Sequence, residues 1–127
     1  MQRNPNESKE HQDLIIMMAN YFSVQGYRNI KADVPSLPNP DIIRGTKQNH
    51  IPDLTAEKNG TNIILEAETA SSIFDEHTAS QWSLFSSAAA NYGGQFHVVV
   101  PRGARSNAEQ RVKNLSIFVH EIWTPKG

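Results

Sequence analysis

Two glutamates, Glu66 and Glu68, flank a single alanine at the end of the run Thr61-Asn62-Ile63-Ile64-Leu65-Glu66-Ala67-Glu68, shortly after the pair Pro52-Asp53. The run is apolar and β-branched, so it predicts a buried strand, with a turn at Gly60 just before it. Side chains two apart on a strand share a face and lie roughly 6.5–7 Å apart along it. Carboxylates on one face of a core strand are costly unless a cation or a proton satisfies them. That cost points to a metal site. The plainer alternative makes Asp53 a turn residue at the start of a strand and Glu66 an exposed residue of a sheet edge.

The rest of the composition narrows the chemistry. A chain of 127 residues is expected to form one domain, spanning 1–127, with a real core. It has no cysteine, which excludes disulfides and thiolate metal sites. No apolar run approaches the roughly 18–20 residues of a membrane span, and Met1-Gln2-Arg3-Asn4-Pro5-Asn6-Glu7 lacks the apolar centre of a signal peptide. The expected setting is therefore the cytoplasm, without a membrane partner. A net charge of −1 argues against gripping nucleic acid by bulk electrostatics. The charges are nevertheless segregated. No Lys or Arg lies between Lys58 and Arg102, a stretch holding Glu66, Glu68, Asp75 and Glu76, and basic residues gather on either side of it. An acidic centre with basic flanks suits a divalent cation contacted by a phosphate backbone; ordinary solvated surface charge explains the same distribution.

The elements that must position these acids follow from periodicity. A helix is expected over about 9–25, capped by Ser8 and ended by Gly26, with Leu14, Ile15, Met18, Tyr21 and Phe22 as its apolar stripe. Strands are expected over 29–34, 50–57 and 62–68, the last two joined by a tight turn at Lys58-Asn59-Gly60-Thr61. The proline-rich 35–40 segment is a loop. A helix over 76–92 buries Trp82, Phe85, Ala88, Ala89 and Tyr92. A strand over 96–100, apolar enough to be buried on both faces, precedes a short helix over 104–114 and a last strand over 116–123. The fold class is α/β, a mixed central sheet flanked by helices in the order αβββαβαβ.

Pro52-Asp53 followed by Glu66-Ala67-Glu68, inside that element order, resembles the PD-(D/E)xK nuclease superfamily, also called the restriction-endonuclease-like fold. The resemblance covers about residues 8–101. It implies divalent-metal-dependent hydrolysis of phosphodiester bonds in nucleic acid, DNA ahead of RNA, with Asp53 and Glu66 as ligands of Mg2+ or Mn2+. Geometry is compatible, since adjacent strands lie about 4.8 Å apart and carboxylate oxygen suits magnesium. Glu68 stands where the family pattern has Lys. Some restriction enzymes of the family carry Glu there, which would make Glu68 a third ligand or a water-orienting base. Loss of cleavage, or a migrated base such as Lys31 or Lys58, are the alternatives.

Family members often add an acid from the first helix. Glu10, four residues before Leu14 and eight before Met18, is the candidate, since it extends the buried stripe toward the sheet. Glu7 is second, and His11 shares that face ahead of Ile15, Met18 and Phe22; a helix N-terminal acid favoured by the macrodipole is the competing explanation for Glu10. Gln81 with Phe85 is similar to the Gln-x-x-x-Tyr helix motif of the RecB-like branch, though a polar residue on an amphipathic helix is the plainer reading. Arg102 and Arg105 are candidates for phosphate contact or simply solvated. Small nucleases of this type frequently work as homodimers. The five histidines show no zinc-ligand spacing, Gly93-Gly94 follows a helix rather than a strand, and no serine has the surroundings of a nucleophile elbow. The rival from another class is a non-catalytic module, binding nucleic acid or protein, that keeps the nuclease fold.

Overall fold

The structure is a computed structural model in which residues 5–126 are described. Three helices and five strands follow one another as α1 (Pro5–Val24), β1 (Arg28–Ala32), β2 (Leu54–Lys58), β3 (Thr61–Ala67), α2 (Glu76–Asn91), β4 (Gln95–Val99), α3 (Arg105–Leu115) and β5 (Glu121–Trp123). The class is α/β: one open mixed sheet in the order β1-β2-β3-β4-β5. The first three strands are antiparallel, and β4 and β5 run parallel to β3. No described helix is long and apolar enough to cross a membrane.

The β2–β3 hairpin is set by two residues. Asn59 and Gly60 both take positive φ, 53° and 82°, which matches the twist of a two-residue turn and pairs Lys58 with Thr61. Alternation then decides what each face buries. Leu54, Ala56, Ile63, Leu65 and Ala67 meet Leu14, Ile15, Met18 and Phe22 of α1. Trp82 and Phe85 of α2 meet Phe96 and Val98 on the other face, where α3 also packs. Each large side chain buried this way contributes about 1.5–3 kcal/mol. Because β4 sends Val99 to one core and Val98 to the other, it is apolar at both.

Three expected boundaries moved, each for a backbone reason. β2 begins at Leu54 rather than near His50, since Pro52 has no N–H to give a ladder. β5 is confined to Glu121–Trp123, because Ser116 turns left-handed (φ 53°) and Ile117 N–H closes the end of α3 on Val112 O. The first helix runs back past Ser8 to Pro5, so Ser8 is not its cap. At the far edge of the sheet, the pairing of β1 with β2 shifts between Arg28 and Lys31, where Asn29 has φ 53°. The loop after β1 folds back there, and Ala32 N–H donates to Pro38 O at 2.9 Å.

Candidate functional site

β3 and β4 end where antiparallel β2 begins, so residues 53 and 66–68 gather at one end of the sheet. Open α/β sheets carry their ligands at the carboxyl ends of such parallel strands. Asp53 lies just ahead of β2, outside the regular ladder, which leaves its side chain to turn onto the neighbouring strand. Its Oδ2 accepts from the Ala67 N–H at 2.9 Å, and its own N–H donates to Glu66 Oε1 at 2.8 Å. Asp53 is thus tied to two successive residues of β3, Glu66 through its amide and Ala67 through its carboxylate.

Glu66 is 1% exposed and stands on the central strand, which removes the edge alternative. Burial pushes its carboxyl well above the usual carboxylate range. The negative charges of Asp53 and Glu68 push in the same direction, as does a side-chain hydrogen bond with Asp53; the Asp53 amide pulls the other way. A proton shared between two carboxyls is one solution to a buried pair of acids. Glu68 is buried just beyond β3. Its N–H donates to Val99 O at 3.0 Å, and its Oε1 accepts from Ser72 Oγ at 2.7 Å and Thr78 Oγ1 at 3.3 Å. Ser72 is held in turn by the Thr69 N–H, in the tight turn that leads to α2.

α1 supplies His11 and Glu7. His11 Nε2 lies 3.2 Å from Asp53 Oδ2, an ion pair whenever the imidazole is protonated. Glu7 accepts from Ser71 Oγ at 2.8 Å, beside the Thr69 hydroxyl. Glu10, the expected auxiliary acid, does not extend the buried stripe. It is exposed, in a cleft shared with Lys9, Asp13 and Arg102. At 100° per residue it sits roughly 110° around the helix from the stripe's centre, whereas His11 sits nearly on it. Stepping back from Phe22 and Met18 in helical intervals leads to His11, which the spacing places on this face without giving it a role; nothing in the sequence marked Ser72 or Thr78.

Gln81 is half-buried on α2, one turn beyond Thr78, and makes no hydrogen bond to the acids among the described residues. The lysines are engaged elsewhere: Lys58 Nζ donates to Gln25 O at 2.7 Å, and Lys31 lies 3.4 Å from Asp41. Arg105 Nη1 donates to Ile122 O at 2.6 Å, and Arg102 is exposed ahead of α3.

No protein-family model, no curated protein and no solved structure matches this chain. The chemistry of the site therefore rests on its geometry.

Among the described residues, no group of three or more His, Asp or Glu side chains is spaced ready to close on an ion. The reason is visible in the bonds above, since Asp53 Oδ2, Glu66 Oε1 and Glu68 Oε1 are each turned onto protein donors. The donor set nonetheless fits a hard divalent cation: all oxygen, carboxylate, and mutually repelling in a buried place. Proton and cation are alternative answers to the same electrostatic problem.

Proposed function

We infer that the chain is a divalent-metal-dependent nuclease of the restriction-endonuclease-like kind, with Asp53 and Glu66 as the residues that would hold Mg2+ or Mn2+ and Glu68 beside them. The observation that carries this reading is Asp53 bonded through its amide to the buried Glu66 carboxyl, with the Asp53 and Glu68 carboxylates both near enough to raise the Glu66 pKa. Buried carboxyls that repel one another are retained at a cost, and a site for positive charge gives that cost a purpose. The element order and the mixed sheet support the resemblance to the PD-(D/E)xK superfamily.

A bound divalent ion at such a site supplies an activated water and neutralises charge on the scissile phosphate. The chain's own residues do the positioning. The Ala67 amide and His11 fix the Asp53 carboxylate. Ser72 and Thr78 fix Glu68 at the place of the missing lysine, where a carboxylate can orient a water and accept its proton. One observation favours the non-catalytic module instead: neither Lys31 nor Lys58 is directed to the acids.

Labelled single- and double-stranded DNA and RNA, incubated with Mg2+ or Mn2+, separate the two. Cleavage by the wild type that falls to background in Asp53→Asn and Glu66→Gln is expected. Both variants keep their backbone partners, and their thermal melts establish that they are folded. Cleavage unchanged in both variants, or none by the wild type on any substrate, refutes the nuclease.

A further inference from the structure

On the outer side of α2, against the segment between β1 and β2, runs a cleft of about 1110 Å3. One wall is the loop from Ile43 to His50, closed by two backbone hydrogen bonds between those residues, 2.8 and 3.0 Å. A Cβ on Gly45 would lie 2.3 Å from Gln48 O and 3.1 Å from Leu84 Cδ1, so only glycine lets the loop turn this tightly beside the helix. Ser80 Oγ ties the loop to α2, 2.9 Å from both His50 Nε2 and Gln48 Oε1. The opposite wall is open because α2 presents small hydroxyl residues there, Ser83 and Ser87.

The charge of the cleft is one-sided. Arg44 and Lys47 line it, both exposed and neither ion-paired among the described residues, and none of its lining residues is acidic. Tyr92, expected on the buried face of α2, instead lies just past the end of the helix, 81% exposed, and ends the cleft. Two free cations, hydroxyl donors and a projecting aromatic ring are the parts that hold a single nucleic-acid strand: phosphate on the cations, a base on the ring. A duplex offers no free base face to such a ring. The closing residue, His50, runs directly into Pro52-Asp53, so cleft and acids share one stretch of chain.

We propose that this cleft binds a segment of single-stranded nucleic acid, its backbone along Arg44 and Lys47 and a base stacked on Tyr92. As the substrate-delivering surface of a nuclease it rests on the reading above; as a binding surface it does not. The test is fluorescence anisotropy of a labelled oligothymidylate in EDTA, where no metal-dependent cleavage intervenes. The wild type binds, and Arg44→Ala/Lys47→Ala weakens binding at least about tenfold. Because each phosphate contact on a single strand contributes about 0.7 to the slope of log K against log salt, the double variant lowers that slope by about 1.4. Tyr92→Ala weakens binding by about tenfold with the slope unchanged. All three side chains are exposed, and circular dichroism checks the fold.

Binding equal in wild type and variants overturns the proposal, as does a duplex of the same length that competes as well as the single strand. A wild-type dimer in sedimentation that the Arg44/Lys47 or Tyr92 changes dissociate overturns it too, since a second copy then fills the cleft. Binding as described without cleavage on adding metal refutes the nuclease alone. Cleavage with binding indifferent to the cleft variants refutes the cleft alone.

Discussion

Replacing His97 with glutamine isolates a pH dependence whose size the structure sets. His97 on β4 is 3% exposed, and its Nδ1 accepts the Trp123 indole N–H at 2.9 Å. That leaves the ring proton on Nε2, facing Gln95 Oε1 at 2.9 Å. Burial, helped by the charge of His120 nearby, lowers its pKa from 6.5 to about 4. The folded value lies below the unfolded one, so between them the unfolded chain takes the proton first. Stability is therefore full above pH 6.5 and falls as pH drops towards 4. With about 1.4 kcal/mol per pKa unit, the loss at pH 5 is about 2 kcal/mol, a large share of the roughly 5–15 kcal/mol that holds a domain together.

Glu66 acts in the opposite sense. Its raised folded pKa contributes stability that is complete below 4.5 and is lost as pH rises. The wild-type curve alone therefore mixes the two. Urea unfolding followed by circular dichroism, on wild type and His97→Gln at pH 8 and pH 5, removes the shared part. Glutamine keeps an acceptor for Trp123 and cannot titrate. Relative to the variant, the wild type should lose about 2 kcal/mol between the two pH values. A difference unchanged within about 0.5 kcal/mol, the size of an ordinary surface substitution, would refute the reasoning.

Two further outcomes test the acids themselves. Glu66→Gln keeps an acceptor for the Asp53 amide and removes a buried charge, so thermal melts in EDTA should show it gaining on the wild type as pH rises above 4.5, with the two converging in acid. Ser72→Ala removes both the donor to Glu68 and the acceptor of the Thr69 amide; a loss of about 1–3 kcal/mol in chemical denaturation is expected.

The α/β class and the pairing of β2 with β3 were legible because their signals are local. Asn59-Gly60 dictates its own turn, and the run from Phe96 to Val100 is too apolar to lie anywhere but between two layers. The convergence of Asp53 with Glu66 followed from that hairpin's register, in which Leu54 faces Leu65. What the sequence did not yield depends on distant contacts. The choice of His11 over Glu10 is a matter of where the helix axis lies on the sheet, which a stripe of spacing fixes only when its centre is found. Ser72 and Thr78 reach Glu68 from a turn and from a separate helix, with no period to announce them. The Arg44–Lys47 wall depends on the Ile43–His50 bridge, which closes inside a stretch without regular structure.

The register break at Asn29 and the return of the chain along β1 have a bearing on how this molecule meets others. An uninterrupted border strand offers its amides to any extended polypeptide, and fibril growth and strand addition both begin there. In this chain the Ala32 amide is already taken by Pro38, and the kink at Asn29 spoils the alignment a newcomer would need. The opposite border, at β5, is only Glu121–Trp123. Association through lengthening of the sheet is thereby discouraged at both ends, which leaves helices and loops as the surfaces for company.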